Sequence, residues 1–129
     1  MPPVAAVLAF VDCINRGDLD GLAVLMAEDH RLVVLDEEPL LGRAANVEAW
    51  RGYFTSYPDY VIIPRDVVAD GGRVAILGVT TGSHLELPDD EEMKLTVIWT
   101  ADVTDGRLTA WRIVDDTPAN RTRLGFTSP

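Results

Sequence analysis

The stretch DGRLTAWRIVDD, residues 105–116, decides the fold. Asp105-Gly106 is the dipeptide of a tight hairpin turn, and RLTAWRIVD (107–115) is rich in β-branched and aromatic residues, so a turn leading into a strand is predicted. Alternation along that strand puts Trp111, Ile113 and Asp115 on one face and Arg112, Val114 and Asp116 on the other, provided no bulge intervenes. With the aromatic face turned inward, Asp115 is the inward carboxylate.

Working backwards, MKLTVIWTADV (93–103), RVAILGVTTGSHL (73–85) and YVIIPRDVVA (60–69) have the same character. They are separated by turn chemistry at Pro88-Asp89 and Asp70-Gly71-Gly72, so an antiparallel meander is predicted. Leu95, Val97 and Trp99 fall on its inward side. Further back, HRLVVLD (30–36) reads as a strand with His30, Leu32, Val34 and Asp36 on one face, and PLLG (39–42) as a short extended piece.

The N-terminal half reads differently. Val4, Val7, Leu8, Val11 and Ile14 recur at helical spacing over 4–15, and Gly17 ends that helix. Asp18 caps a second helix over 19–27. A third, over 44–56, carries Val47, Trp50, Phe54 and Tyr57 as a stripe and stops at Pro58. Asp116-Thr117-Pro118 starts a short final helix ending near Leu124-Gly125. Helices first and strands after them give an α+β fold: about six strands in a curved antiparallel sheet, packed against three helices of the N-terminal half, in one domain over 1–129. Such a sheet curls and, closed by helices, leaves a hydrophobic cavity suited to a small ligand.

Composition narrows the partners. The formal charge is −10 and the 11 basic residues are scattered, which argues against nucleic acid. PDDEE (88–92) reads as a solvated hairpin loop without the ligand spacing of a calcium site. The longest apolar runs are too short to span a bilayer, so no membrane and a cytoplasmic location are expected. A single cysteine, Cys13, excludes an internal disulfide and is expected as a buried thiol. Two histidines and scattered acids match no zinc spacing, and there is no phosphate loop or nucleophile elbow; neither a catalytic metal nor a cofactor is expected.

NRGDLDGLAVLMAED (15–29), LLGRAANVEAWRGYFTSYPDY (40–60) and DGRLTAWRIVDD (105–116), in this order, resemble the SnoaL-like branch of the nuclear-transport-factor-like (ketosteroid isomerase-like) superfamily. The resemblance covers residues from about 4 to 126 and implies a cone-shaped α+β fold with a hydrophobic pocket and pairing into a homodimer through the sheet. The superfamily includes ketosteroid isomerases, polyketide cyclases, epoxide hydrolases, dehydratases and non-catalytic modules, so the fold does not fix the activity. The three positions that carry the isomerase's tyrosine and two aspartates correspond here to Phe10, Val34 and Trp99, which lack those groups. The charged set of the epoxide hydrolases falls on the apolar Leu95, Val97, Trp99 and Ile113. The cyclases use an aspartate on the last strand, usually with a histidine nearby, which implies Asp115 as acid/base.

Two readings of the site follow. In the first, Asp115 is desolvated and exchanges a proton with a hydrophobic carbonyl metabolite, with Tyr53 or His30 donating a hydrogen bond, for isomerisation, cyclisation or dehydration. Phe10, Val34, Asp36, Trp50, Phe54, Val97, Trp99, Trp111 and Ile113 would line the ligand. In the second, Asp115 lies open to water or caps the final helix, His30 and His84 are surface or structural residues, the aromatics are core, and the protein is a non-catalytic ligand-binding or dimeric interaction module. The enclosure of Asp115, with a second polar group in reach, separates the two.

Overall fold

The computed structural model describes residues 1–126; residues 127–129, the tail of the expected domain, lie outside the described residues. In chain order the elements are α1 (Pro3–Arg16), α2 (Leu19–Leu25), β1 (Met26–Val33), β2 (Leu40–Leu41), α3 (Arg43–Ser56), β3 (Val61–Asp70), β4 (Arg73–Thr81), α4 (Asp89–Glu92), β5 (Val97–Thr104), β6 (Arg107–Val114) and α5 (Pro118–Leu124). The α+β expectation holds: six strands form one curved, open sheet in the order β2-β1-β6-β5-β4-β3. β3 to β6 form the antiparallel meander. The sheet as a whole is mixed and not antiparallel as expected, because β1 runs parallel to β6. No hairpin joins those two strands, so turn chemistry carries no information about their relative direction.

The first corner follows from local chemistry. Gly17, at φ 64°, ends α1 in the left-handed conformation. Its N–H donates to Ile14 O (3.1 Å) while that of Asp18 donates to Cys13 O (2.9 Å), and the Asp18 carboxylate accepts from Gly21 N (2.9 Å) to cap α2. The second helix stops at Leu25 rather than continuing to residue 27, because Met26 leaves the helix and pairs with Leu108 of β6. Cys13 is the expected buried thiol.

Two expectations fail around α4. PDDEE is not wholly solvated: it forms the short helix, and its last residue, Glu92, is 1% exposed. The following turn, with Leu95 N donating to Glu92 O (3.0 Å), delays β5 to Val97. Leu95, read as inward, is 47% exposed.

The inner face of the sheet meets the three long helices. Register sets Trp99 opposite Ile113 and the small Ala101 opposite Trp111, so the two indoles stack on the diagonal at 6.4 Å. A bulge at Thr109 lets Leu108 and Trp111, three residues apart, both face inward. Phe10 of α1 closes over Trp111 at 5.1 Å. Burying a Trp side chain contributes on the order of 4 to 6 kcal/mol as an upper bound. Asn15 bonds Ile62 in both directions, Nδ2 to O (2.9 Å) and Oδ1 from N (2.8 Å), tying α1 to the edge strand β3. On the outer face α5, capped by Thr117 as expected, packs Phe126 with Ala75, Leu77 and Ile98.

Candidate functional site: an aromatic-walled cavity

Between the helices and the concave face lies a cavity of about 340 Å³. The size is within the range of small-molecule pockets. β1 and the residue after it supply Leu32 and Val34; β5 and β6 supply Trp99, Trp111 and Ile113. α3 supplies Ala49, Trp50 and Tyr53 at helical spacing, Tyr60 precedes β3, and Glu37 and His84 come from loops. Strand alternation thus places Leu32, Val34, Trp111 and Ile113 on one wall, as read from the sequence.

The aromatic stripe of α3 does not end at the helix. Trp50 stacks with Tyr60 (6.5 Å between centroids), and Tyr53 meets Tyr60 edge to face at 4.9 Å. Burial raises the Tyr60 phenol well above the usual tyrosine range. It also raises Tyr53, against the lowering effect of the His84 backbone N–H. The Tyr53 hydroxyl is 2.9 Å from His84 Nδ1 and accepts from His84 N at 3.1 Å. This pair is the polar contact on an otherwise mostly apolar wall. The Trp50 indole N–H is buried without a partner among the described residues.

Behind the pair, the buried Glu92 carboxylate accepts from Thr80 Oγ1 and from Ser83 N (3.4 Å), so it holds the residue next to His84. A carboxylate this buried is costly unless hydrogen-bonded, and these two donors are its compensation.

Six of the twelve residues nominated for the site line the cavity: Val34, Trp50, Tyr53, Trp99, Trp111 and Ile113. The others do not, each for a local reason. Asp115 is exposed: β6 ends at Val114, and the Asp115 carbonyl accepts from Asn120 Nδ2 (2.8 Å) at the junction with α5. Asp36 is exposed at φ 60°, in a turn where Glu37 N reaches Val34 O at 3.2 Å; the turn breaks the alternation and puts Glu37 on the cavity side. His30 is fully buried, its Nδ1 2.8 Å from Leu108 O, between Phe10 and the sheet. Burial holds its pKa below the ordinary histidine range, outweighing the Leu108 carbonyl and Asp29. Phe10 lies behind Trp111, Phe54 packs on Trp50, and Val97 packs into the core.

Leu32, Glu37, Ala49, Tyr60 and His84 line the cavity but were not nominated. Ala49 shares the face of Trp50 and Tyr53, a signal that was present in the spacing; the loop residues gave none. Among the described residues no three His, Cys, Asp or Glu side chains are placed to hold a metal ion, and no helix is long and apolar enough to cross a membrane.

Solved structures with this architecture carry several chemistries. A candidate polyketide cyclase from Sinorhizobium meliloti is 22% identical, with a TM-score of 0.72, over 88% of this chain and 95% of its own. A candidate ketosteroid isomerase from Kribbella flavida is 22% identical, with a TM-score of 0.69, over 98% and 90%. An epoxide hydrolase from Mycobacterium tuberculosis is 19% identical, with a TM-score of 0.67, over 86% and 80%. At such identities the likeness carries the fold and not the activity. No curated protein matches the sequence. Residues 7–111, however, match the model of the SnoaL-like domain, and the chain is a member of the SnoaL-like family.

Proposed function

We propose that the protein binds a flat, hydrophobic small molecule bearing an acceptor oxygen. The observation that carries this reading is the aromatic-walled cavity whose wall presents the Tyr53–His84 pair. Trp50, Trp99, Trp111 and Tyr60 give a planar ligand an apolar, aromatic boundary. With the proton on His84 Nδ1, the phenol oxygen accepts twice from His84, and its own O–H is left to donate to the ligand. The test is a titration of intrinsic tryptophan fluorescence with 2-acetylnaphthalene. Saturable binding that Tyr53→Phe weakens about tenfold, the worth of one hydrogen bond, supports the reading. Absence of saturation overturns it.

The same pair favours a second reading, cofactor-independent proton transfer. In that tautomer His84 Nε2 is free to take a proton from the carbon next to a ligand carbonyl, while Tyr53 O–H holds the enolate oxygen; delivery of that proton to a different carbon of a conjugated enolate completes an isomerisation, and its return to the same carbon gives exchange. The exposure of Asp115 removes the carboxylate expected for this role, so the base would be His84. Exchange of the α-protons of 2-tetralone in deuterated water, lost in His84→Ala, supports catalysis; exchange at the buffer rate leaves the protein a binding module. The outer sheet face carries the Arg112–Asp102 ion pair at 2.8 Å. A homodimer through that face remains part of the proposal, and light scattering would test it.

A further inference from the structure

The cavity is one-sided in charge. Its lining includes the Glu37 carboxylate and neither lysine nor arginine. A second carboxylate, Glu92, is 1% exposed, takes only neutral donors (Thr80 Oγ1 and Ser83 N), and has no cation paired with it among the described residues. It holds Ser83, the residue next to His84 of the cavity lining.

From this arrangement we propose that the cavity selects the charge of its ligand: it admits uncharged and amine-bearing aromatic molecules and rejects carboxylates, with Glu37 at its mouth as a specificity-determining side chain. The inference rests on the cavity being the binding site proposed above. With His84 neutral, a ligand carboxylate would meet Glu37 without a compensating cation, whereas a ligand ammonium would have the Glu37 carboxylate as its partner. Glu37 is exposed, so its share is salt-dependent.

Three probes of one shape test it: 2-acetylnaphthalene, 2-naphthylmethylammonium and 2-naphthoate, titrated by tryptophan fluorescence at low salt. The expected order has the ammonium and the ketone about tenfold or more tighter than the carboxylate. Glu37→Gln, a surface change that keeps the fold, should narrow the gap between ammonium and carboxylate several-fold, as should added salt. Naphthoate binding as tightly as the ammonium overturns charge selection while leaving the cavity as the site. A gap that Glu37→Gln leaves unchanged overturns the role of Glu37. Failure of all three probes to bind overturns the binding site and this inference with it.

Discussion

His30 makes the fold sensitive to mild acid. Its imidazole is fully buried, Nδ1 donates to the Leu108 carbonyl at 2.8 Å, and Nε2 has no partner among the described residues. Protonation would place an uncompensated charge beside Phe10, and burial accordingly lowers the pKa below that of an unfolded histidine, about 6.5. Below that pH the unfolded chain binds a proton that the folded chain refuses. The stability His30 contributes is therefore complete above about pH 6.5 and is lost as pH falls toward its folded-state value. The limiting slope is about 1.4 kcal/mol per pH unit, so at most about 2 kcal/mol disappears between pH 6.5 and 5. Urea unfolding at pH 7, 6 and 5 measures this against His30→Gln, which keeps an N–H for Leu108 but does not titrate. His84 and the carboxylates are common to both proteins. Wild type should lose stability more steeply than the variant by up to about 1.4 kcal/mol per unit; equal slopes would refute the argument.

Trp111→Ala removes a 1%-exposed ring held between Phe10 and Trp99 and should cost about 3 to 5 kcal/mol in denaturant midpoint, with unchanged helix content in the folded state. Asn15→Ala deletes both hydrogen bonds to Ile62 and should cost about 2 kcal/mol, with faster hydrogen exchange at the Ile62 amide as the local signature. Asp115→Asn should leave stability within about 0.5 kcal/mol and leave ligand binding unchanged, because the side chain is exposed and outside the cavity. A marked loss of affinity in that variant would return Asp115 to the site.

The legible part of this structure is its periodic part. Alternation assigned Trp111 and Ile113 to the same wall as Leu32 and Val34, because the irregularities of β1 and β6 fall before those residues, at Met26/Arg31 and Thr109. Helical spacing put Trp50 and Tyr53 on one face of α3. The errors sit where regular elements stop. Asp36 and Asp115 extend an alternation past the last paired residue, where a left-handed turn and the approach to α5 redirect the side chains. His84 reaches the cavity through its contact with Tyr53, and Tyr60 by folding back onto Trp50 and Tyr53 after α3 ends; periodic pattern does not encode such contacts. Glu92 was masked by its neighbours: in an acidic run, only three-dimensional packing shows which carboxylate turns inward.

The chain has three tryptophans, and all three line the cavity. Their indole N–H resonances in a ¹⁵N correlation spectrum, followed as 2-acetylnaphthalene is added, test the central claim directly. Occupation of the cavity predicts that Trp50, Trp99 and Trp111 shift together along one saturable curve, while amides of the outer face, such as those of Leu77 and Ala75, stay in place. Indole signals that do not move, or shifts gathered on the outer face instead, would contradict the claim that this cavity is the binding site.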